Sequence, residues 1–454
     1  MNSQEANVYL RSFINYELVG ADSFPREHKL DRVRALLALL GNPQDQLKIV
    51  HVAGSKGKGS TCAITASILK SAGFKVGLYT SPHIVHYRER IRVLDKSQQS
   101  DDAQSIFSDT ISDQELADVL GEIKPKISEI CRWEKELGRL SFFEIFTVIA
   151  LYYFYQKKCD VVVLETGLGG RLDATNVVSS LISVITPISL EHAHILGPTI
   201  KNIAGEKAAI IKDKQSKVVL APQEDSARRV FQKQCKKVGV IPRWVGVDIE
   251  GYLLTQNMEF QMFDVKTRHN TYRFLKLPLL GKHQVINACV SIGVIEALRE
   301  EGFIILDEAI ALGCETVYWP GRFEVLKKSP LTILDSAHNE ASARAMVNTL
   351  LEVLPDKRVS LILGMSQDKQ QKDICTELNF IVDKVIFTKA NHPRASDLTI
   401  KDFEGYFPGK TCFQTSSVQE ALDVAQKQTK EDDIVLVTGS IFVASEARKL
   451  LCTN

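Results

Sequence analysis

The stretch IVHVAGSKGKGSTCAITASIL, residues 49–69, runs from an apolar segment through a glycine loop into a helical pattern. Positions 54–61 hold three glycines, two lysines and three hydroxyl side chains. Glycines let the backbone curl so that successive N–H groups point inward, and the N-terminus of the following helix adds partial positive charge. Such a loop suits a phosphate, with Lys58 able to reach its terminal oxygens and Ser60 placed to hold Mg²⁺. The strict phosphate-loop pattern is broken: Val52 takes the first glycine's place and Gly59 separates Lys58 from Ser60. On this loop alone, a glycine-rich turn without a ligand stays open.

The rest of the chain bounds the answer. Its 454 residues exceed one ordinary core, so two domains or slightly more are expected. Hydrophobic residues make up 44% and charged residues 24%, as in globular proteins. A net charge of +1 gives no support to nucleic acid or an acidic membrane surface as partner. Met1–Phe13 has no apolar signal core, which argues against secretion. The longest apolar run, FFEIFTVIALYYFY (142–155), is too short for a membrane span and carries Glu144, so it reads as a buried helix. Nine dispersed cysteines, with no CxxC pair and no histidine at zinc spacing, suggest reduced core thiols in a cytosol.

Short β-branched runs alternate with amphipathic helical patterns, the signature of βαβ units and parallel sheets. Strands are expected at Lys48–Val52, Lys75–Tyr79, Asp160–Glu165, Leu181–Thr186 and Lys217–Leu220. Helices are expected at Gly59–Ala72 and Phe142–Gln156, the second capped by Ser141 with Glu144 completing a capping box. Residues 250–277 read as a small antiparallel hairpin region, and His283–Glu300 as a helix. A second alternating series, with strands in LTILD (331–335), VSLILG (359–364), KVIFT (384–388) and DIVLVTGS (433–440), starts near Tyr318, which places a boundary at Val317. Ligands of such doubly wound folds lie beyond the carboxyl ends of the strands.

Three further stretches carry chemistry. CDVVVLETGLGGRLDATN (159–176) is a buried strand ending in Glu165, which would put a carboxylate beside the glycine loop as a Mg²⁺ ligand. Together the two features favour a MgATP site over a capped loop. In SLEHAHILGPTIKNIAGEKAAIIK (189–212), Lys207 shares an apolar helix face with Ile200, Ile203, Ala204 and Ile211. Burial disfavours the ammonium and leaves a nucleophilic neutral amine, whereas a snorkelling side chain is the plainer reading. His192, just before that helix, is either a metal ligand or an ordinary polar residue. YTSPHIVHYRERIRV (79–93) reads as an irregular, solvated loop dense in His83, His86, Arg88, Arg90 and Arg92.

These motifs, with GKHQVINA, WPGRFEV, LDSAHN and TGSIFVASEAR in the same order over nearly the whole chain, resemble the folylpolyglutamate synthase/dihydrofolate synthase family, a branch of the Mur ligase superfamily. The resemblance implies an α/β fold: a P-loop-type doubly wound N-terminal domain (1–317) that binds ATP and carries a folate loop, plus a smaller Rossmann-like C-terminal glutamate-ligase domain (318–454). It implies ATP-dependent ligation of L-glutamate to dihydropteroate, a reduced folate, or both, through an acyl phosphate, within folate biosynthesis. Gly57, Lys58, Gly59, Ser60 and Thr61 would then hold the ATP phosphates, Asn287 would face the adenine, and Arg322, Asp335 and His338 would reach nucleotide or glutamate from the second domain. Ser60, Glu165 and His192 would be Mg²⁺ ligands, and Lys207 a carbamylated lysine holding a second Mg²⁺. His338 would orient or deprotonate the glutamate amine. The segment with Ser81, Pro82, His83, Arg88 and Arg90 would border the pterin pocket and attract folate carboxylates. Lys56 stands where many bacterial members have Asn, and Glu191 replaces a commoner Asp. Small-molecule substrates, a monomer and the cytoplasm complete the expectation.

Two rival readings fit less of the chain. A cell-wall muramoyl–amino-acid ligase needs a UDP-sugar domain of on the order of 100 residues ahead of the loop, and the residues before Lys48 are too few. A nucleotide-dependent switch protein would show no substrate-dependent ATP turnover and gives Lys207 no role.

Overall fold

The computed structural model describes residues 1–19, 30–96, 106–132, 138–367 and 371–452. Seven strands form the first sheet: β1 (Ile49–Ala53), β2 (Val76–Tyr79), β3 (Ile91–Leu94), β4 (Val161–Glu165), β5 (Ile182–Ile185), β6 (Lys217–Leu220) and β7 (Pro242–Trp244). Their spatial order is β3-β2-β4-β1-β5-β6-β7, parallel except for β3 on the edge. All five residues of β4 are buried, because helices cover both faces of the sheet and strands inside it read as unbroken apolar runs. The strand's alternation divides its side chains. Val161 and Val163 join the core under helices Lys58–Ser71 and Lys282–Glu300, while Val162 and Leu164 join the core under helix Phe142–Gln156.

Three strands, β8 (Glu250–Gln256), β9 (Gln261–Lys266) and β10 (Thr271–Leu277), form the antiparallel sheet expected at 250–277. The second parallel sheet contains β11 (Glu324–Lys328), β12 (Leu331–Leu334), β13 (Val359–Leu363), β14 (Val382–Phe387), β15 (Thr411–Gln414) and β16 (Ile434–Thr438). It is ordered β11-β12-β16-β13-β14-β15, with only β11 antiparallel. The protein is thus α/β, with two doubly wound layers.

The expected elements that reappear are the strongly periodic ones. Helix Phe142–Gln156 has the expected bounds, and Ser141 and Glu144 close the capping box. Glu144 also accepts from Arg32 Nε at 2.7 Å, so one buried carboxylate fixes both the helix start and a residue 112 positions earlier. Among the described residues no helix is long and apolar enough to cross a membrane. The nine cysteines are free; six are buried, Cys412 is half-buried, and Cys131 and Cys452 are exposed. The expected irregular loop at 79–93 is corrected at its end, where residues 91–94 form β3. Edge strands β7, β11 and β15 have no counterpart among the expected strands, since they are short and half-exposed and carry little apolar signal.

The glycine-loop helix is held by close packing. Helix Asp307–Glu315 crosses it where Gly313 faces Ile68, and a Cβ on Gly313 would lie 2.3 Å from the Ile68 Cα. Backbone cannot yield as a side-chain tip does, so Gly313→Ala should destabilise the protein by about 1–3 kcal/mol in urea unfolding. Gly205→Ala offers the contrast: it sits on the exposed side of helix Ile200–Ala208 with nothing within 4 Å of the new methyl, and should stabilise by about 0.5–1 kcal/mol. Equal effects of the two substitutions would contradict this packing.

Candidate active site

A cavity of about 1500 Å³ opens beyond the carboxyl ends of β1 and β4 and is walled on its far side by loops of the second sheet. Its floor is the glycine loop. Gly57 adopts φ +81° as N-cap of helix Lys58–Ser71, a conformation that disfavours any L side chain, and a Cβ there would lie 2.2 Å from Asn287 Oδ1. No side chain caps this helix, so its first amides are available to a ligand at the cavity. The amides of Ser55 and Lys56 are committed elsewhere, both donating to the Pro187 carbonyl at 3.0 and 3.1 Å.

Gly57, Lys58, Gly59 and Ser60 line the cavity, as the sequence suggested. Thr61 does not. It is fully buried one position further round the helix, and its carbonyl accepts from Ser291 Oγ at 3.2 Å on helix Lys282–Glu300. Lys58 Nζ donates to the Gly54 carbonyl at 3.2 Å and stands 3.9 Å from Glu165 Oε1.

The parallel pairing of Val52 with Glu165 sets that carboxylate at the root of the loop. Glu165 Oε2 accepts from the Ser81 amide at 3.1 Å, while among the described residues Oε1 has only the distant Lys58. Burial pushes the Glu165 carboxyl up to about 7, against the pull of Lys58. Glu165 and Ser60 line the same cavity and both offer hard oxygens of the kind that suit Mg²⁺, an ion that takes one or two protein oxygens and completes its shell from phosphate and water. Among the described residues no group of three or more His, Cys, Asp or Glu could hold a metal without such help.

Lys207 points inward and is almost fully buried. Its Nζ donates to the Gly54 carbonyl at 2.7 Å and to Glu191 Oε1 at 3.2 Å. Burial lowers its pKa to about 8, with Glu191 opposing. Glu191 in turn bridges to Lys56 Nζ at 3.5 Å through its other oxygen. Burial works against that carboxylate's charge, yet Lys207, Lys56 and Lys58 hold it well below the usual range. His192, the next residue, adopts a left-handed backbone (φ 47°) and lines the cavity. The cluster Lys56–Glu191–Lys207 was not legible as a unit, since sequence spacing said nothing of the side chains that meet Glu191.

From the second sheet come Arg322, Asp335 and His338, all lining the cavity. Asp335 accepts from the amides of Phe323 and Ala337, both at 2.8 Å, so its carboxylate braces the loop that carries Arg322. His338 Nδ1 donates to the Ser336 carbonyl at 2.9 Å, which fixes the ring's orientation at the cavity. Asn287 donates to Gln284 Oε1 at 2.9 Å and packs over the glycine loop. His283, Phe143 and Asp173 also line the cavity, a role that no sequence expectation assigned to them. Asp173 sits inside a quoted motif and Phe143 in the first turn of the buried helix, so both were within reach.

The basic segment after β2 is corrected most. Ser81, Pro82, His83 and Arg90 line the cavity, but its arginines are not solvated. Arg90 is fully buried and makes a two-pronged pair with Glu17, at 2.9 and 2.5 Å, while its Nε donates to His83 Nδ1 at 3.0 Å. Burial and the Arg90 charge push His83 down to about 3, which keeps it neutral. Arg88 faces away from the cavity, donating to the Ile111 carbonyl and pairing with Asp113. Arg92 pairs with Asp109 at 2.6 Å and lies over the Phe107 ring. Cations satisfied inside the protein in this way exert little pull on an incoming carboxylate.

Comparison with known proteins bears on this geometry. Residues 136–295 match the Mur ligase middle domain and residues 321–441 the Mur ligase glutamate ligase domain. The chain is 33% identical to the dihydrofolate synthase/folylpolyglutamate synthase of Bacillus subtilis strain 168, over 93% of this chain and 94% of that one. Against the Escherichia coli K12 protein of the same name the identity is 32%, over 97% and 95%. The structure of Mycobacterium tuberculosis folylpolyglutamate synthase complexed with ADP and AMPPCP superposes with TM-score 0.86 at 27% identity, over 100% of each chain.

The raised Glu165 pKa has a measurable sign. Between the ordinary value of 4.5 and about 7 the native carboxyl holds a proton that the unfolded chain has lost, so this group's contribution to stability falls as pH rises through that window. Without nucleotide, Glu165→Gln should match the wild type in stability near pH 4.5. It should exceed the wild type at pH 8 by on the order of 2 kcal/mol in urea unfolding. A difference that stays constant from pH 4.5 to 8 would show that Glu165 is not the desolvated acid described.

Proposed function

The chain belongs to the folylpolyglutamate synthase/dihydrofolate synthase family of Mur ligases, and from that premise we propose how its own residues carry out the ATP-dependent ligation of L-glutamate to dihydropteroate or a reduced folate. The observation that carries the reading is that Lys58 and Glu165 at the root of one sheet share a cavity with Arg322 and His338 from the other. In this reading Lys58 and the first amides of its helix hold the β- and γ-phosphates, and Ser60 and Glu165 hold Mg²⁺. When bound, Mg²⁺ neutralises charge on the transferring phosphoryl group. Asn287, packed over the loop, borders the adenine.

The folate substrate's carboxylate oxygen attacks the γ-phosphorus and ADP leaves, giving an acyl phosphate. The glutamate nitrogen then attacks the carbonyl carbon and phosphate leaves. Both steps concentrate negative charge on oxygen, which Lys58 and Arg322 stabilise. The amine must shed a proton, and in this reading His338, its ring held by the Ser336 carbonyl, orients it or takes that proton. The pterin end borders Ser81, Pro82 and His83, with Arg90 acting as a neutralised wall. The division near Val317 separates an ATP-binding unit from a glutamate-ligase unit, and the reading takes the protein to be a cytoplasmic monomer.

In this reading His192, which also lines the cavity, joins Ser60 and Glu165 as a Mg²⁺ ligand, and Lys207, as its carbamate, holds a second Mg²⁺. The amine's lowered pKa supports addition of CO₂, and the carbamate N–H can keep the Gly54 carbonyl as acceptor. The new carboxylate would face Glu191, which must turn toward Lys56. The resulting anion offers hard oxygens to Mg²⁺.

The test of function is phosphate release with MgATP and L-glutamate, offering dihydropteroate and tetrahydrofolate separately. Turnover should require an acceptor, and Glu165→Gln should lower it at least 100-fold while the protein stays folded. ATP turnover independent of any acceptor would favour a switch protein. For Lys207→Ala, acetate should restore part of the activity and alkylamines none, and ¹³CO₂ should label the wild-type protein but not this variant. Rescue by amines alone, with no label, would establish a cationic Lys207.

A further inference from the structure

We propose that His51 is a positioning residue for the ligation: through Thr175 and Asp173 it sets the turn at residues 166–173 that spaces Glu165 from Lys207 across the cavity. This deepens the reading above and rests on the roles given there to Glu165 and Lys207. The turn leaves β4 directly after Glu165 and meets the helix that carries Lys207. The Arg171 amide donates to the Glu206 carbonyl at 2.8 Å, and a Cβ on Gly170 would lie 2.7 Å from that oxygen and 3.0 Å from the Lys207 Cα. Backbone rests on backbone there, so the position of Lys207 follows that of the turn.

Donors converge on one buried carboxylate to shape the turn. Asp173 Oδ2 accepts from the Leu168 amide at 2.8 Å, and Oδ1 from the Thr175 amide at 3.0 Å and the Thr175 hydroxyl at 2.6 Å. A hydroxyl has one hydrogen, and Thr175 gives it to Asp173, so the ring donates the 2.8 Å bond between His51 Nε2 and Thr175 Oγ1. His51 is fully buried in β1 and lies opposite Leu164, the residue before Glu165. The sheet that fixes Glu165 thus also fixes which way the Thr175 hydroxyl points. Burial and the Lys212 charge push His51 down to about 3, so the ring stays neutral with its one N–H on Nε2. Its Nδ1 is buried with no partner among the described residues. An orphaned buried nitrogen offsets what the Thr175 bond contributes, so the fold gains little from a histidine here. What the histidine supplies is an oriented hydroxyl under the turn.

Steady-state ligation by the full chain, with the acceptor that the wild type uses, tests this beside urea unfolding. His51→Leu/Thr175→Val replaces both partners by apolar side chains, and its unfolding midpoint should equal or exceed the wild type's. The same variant should lower kcat ~10- to 100-fold and change KM for MgATP less than about threefold. Two amide substitutions decide the matter even if that variant does not fold. His51→Gln can present an N–H where Nε2 stood and should keep kcat within about threefold of wild type, whereas His51→Asn reaches only as far as Nδ1 and should lose it. The pH–rate profile should keep its shape in His51→Gln, because the ring orients and does not titrate. Labelling of Lys207 by ¹³CO₂ should fall in His51→Asn together with kcat. The proposal is overturned by wild-type kcat in His51→Asn or in the double variant, by equal losses in His51→Gln and His51→Asn, or by a shifted profile in His51→Gln. Full labelling beside a lowered kcat, or a double variant that unfolds at lower urea than the wild type, overturns it too. If the wild type takes no label, the carbamate reading falls alone and the kcat comparison still decides. If the wild type ligates glutamate to neither acceptor, the functional reading falls and this proposal with it.

Discussion

The parallel pairing of β1 with β4 is the constraint on which the site depends. Val52 lies opposite Glu165, and the Thr166 amide donates to the Val52 carbonyl at 2.9 Å, so the glycine loop and the acidic strand end leave the sheet side by side. A slip of one residue would turn Glu165 to the other face and bring Leu164 toward the loop. The alternation of β4 between two cores forbids that slip, because Val161 and Val163 fill one face and Val162 and Leu164 the other. Packing energy spread over the sheet thus fixes the position of one carboxylate.

Two sets of charge pairs bear on the site. Arg32–Glu144 at 2.7 Å and Arg92–Asp109 at 2.6 Å are tight and buried, the two-pronged Arg90–Glu17 pair is tight and buried on its Arg90 side, and all three join distant segments. Lys58–Glu165 at 3.9 Å and Lys56–Glu191 at 3.5 Å are loose and border the cavity. Breaking a tight buried pair leaves an uncompensated charge, so those pairs serve the fold. The loose ones leave coordinating capacity for phosphate and metal. Glu165, with one oxygen nearly unmatched and its pKa near 7, is the clearest case.

This division explains why the segment after β2 misled. Seen in sequence, three arginines within five residues suggest an exposed cationic loop. Each is instead paired with an acid brought from elsewhere: Glu17 from the N-terminal segment, Asp109 from just before helix Asp113–Cys131, and Asp113 from its first turn. Only Arg90 faces the cavity, and it arrives already neutralised.

Features that rest on contacts within a few residues were legible in the chain itself. The 3.6-residue period turned Lys207 inward, the Ser141–Glu144 box began its helix where expected, and the glycine loop stood between strand and helix. Local geometry determines these, because caps and helical faces are set by residues three or four apart. Tertiary structure alone decided which charges meet. Lys207 reaches Gly54 across 153 positions and Arg90 finds Glu17 across 73, while Thr61 turns into the core when its helix docks on Lys282–Glu300. Such partners are chosen by sheet order and helix packing, and no spacing in the sequence encodes the distance between them.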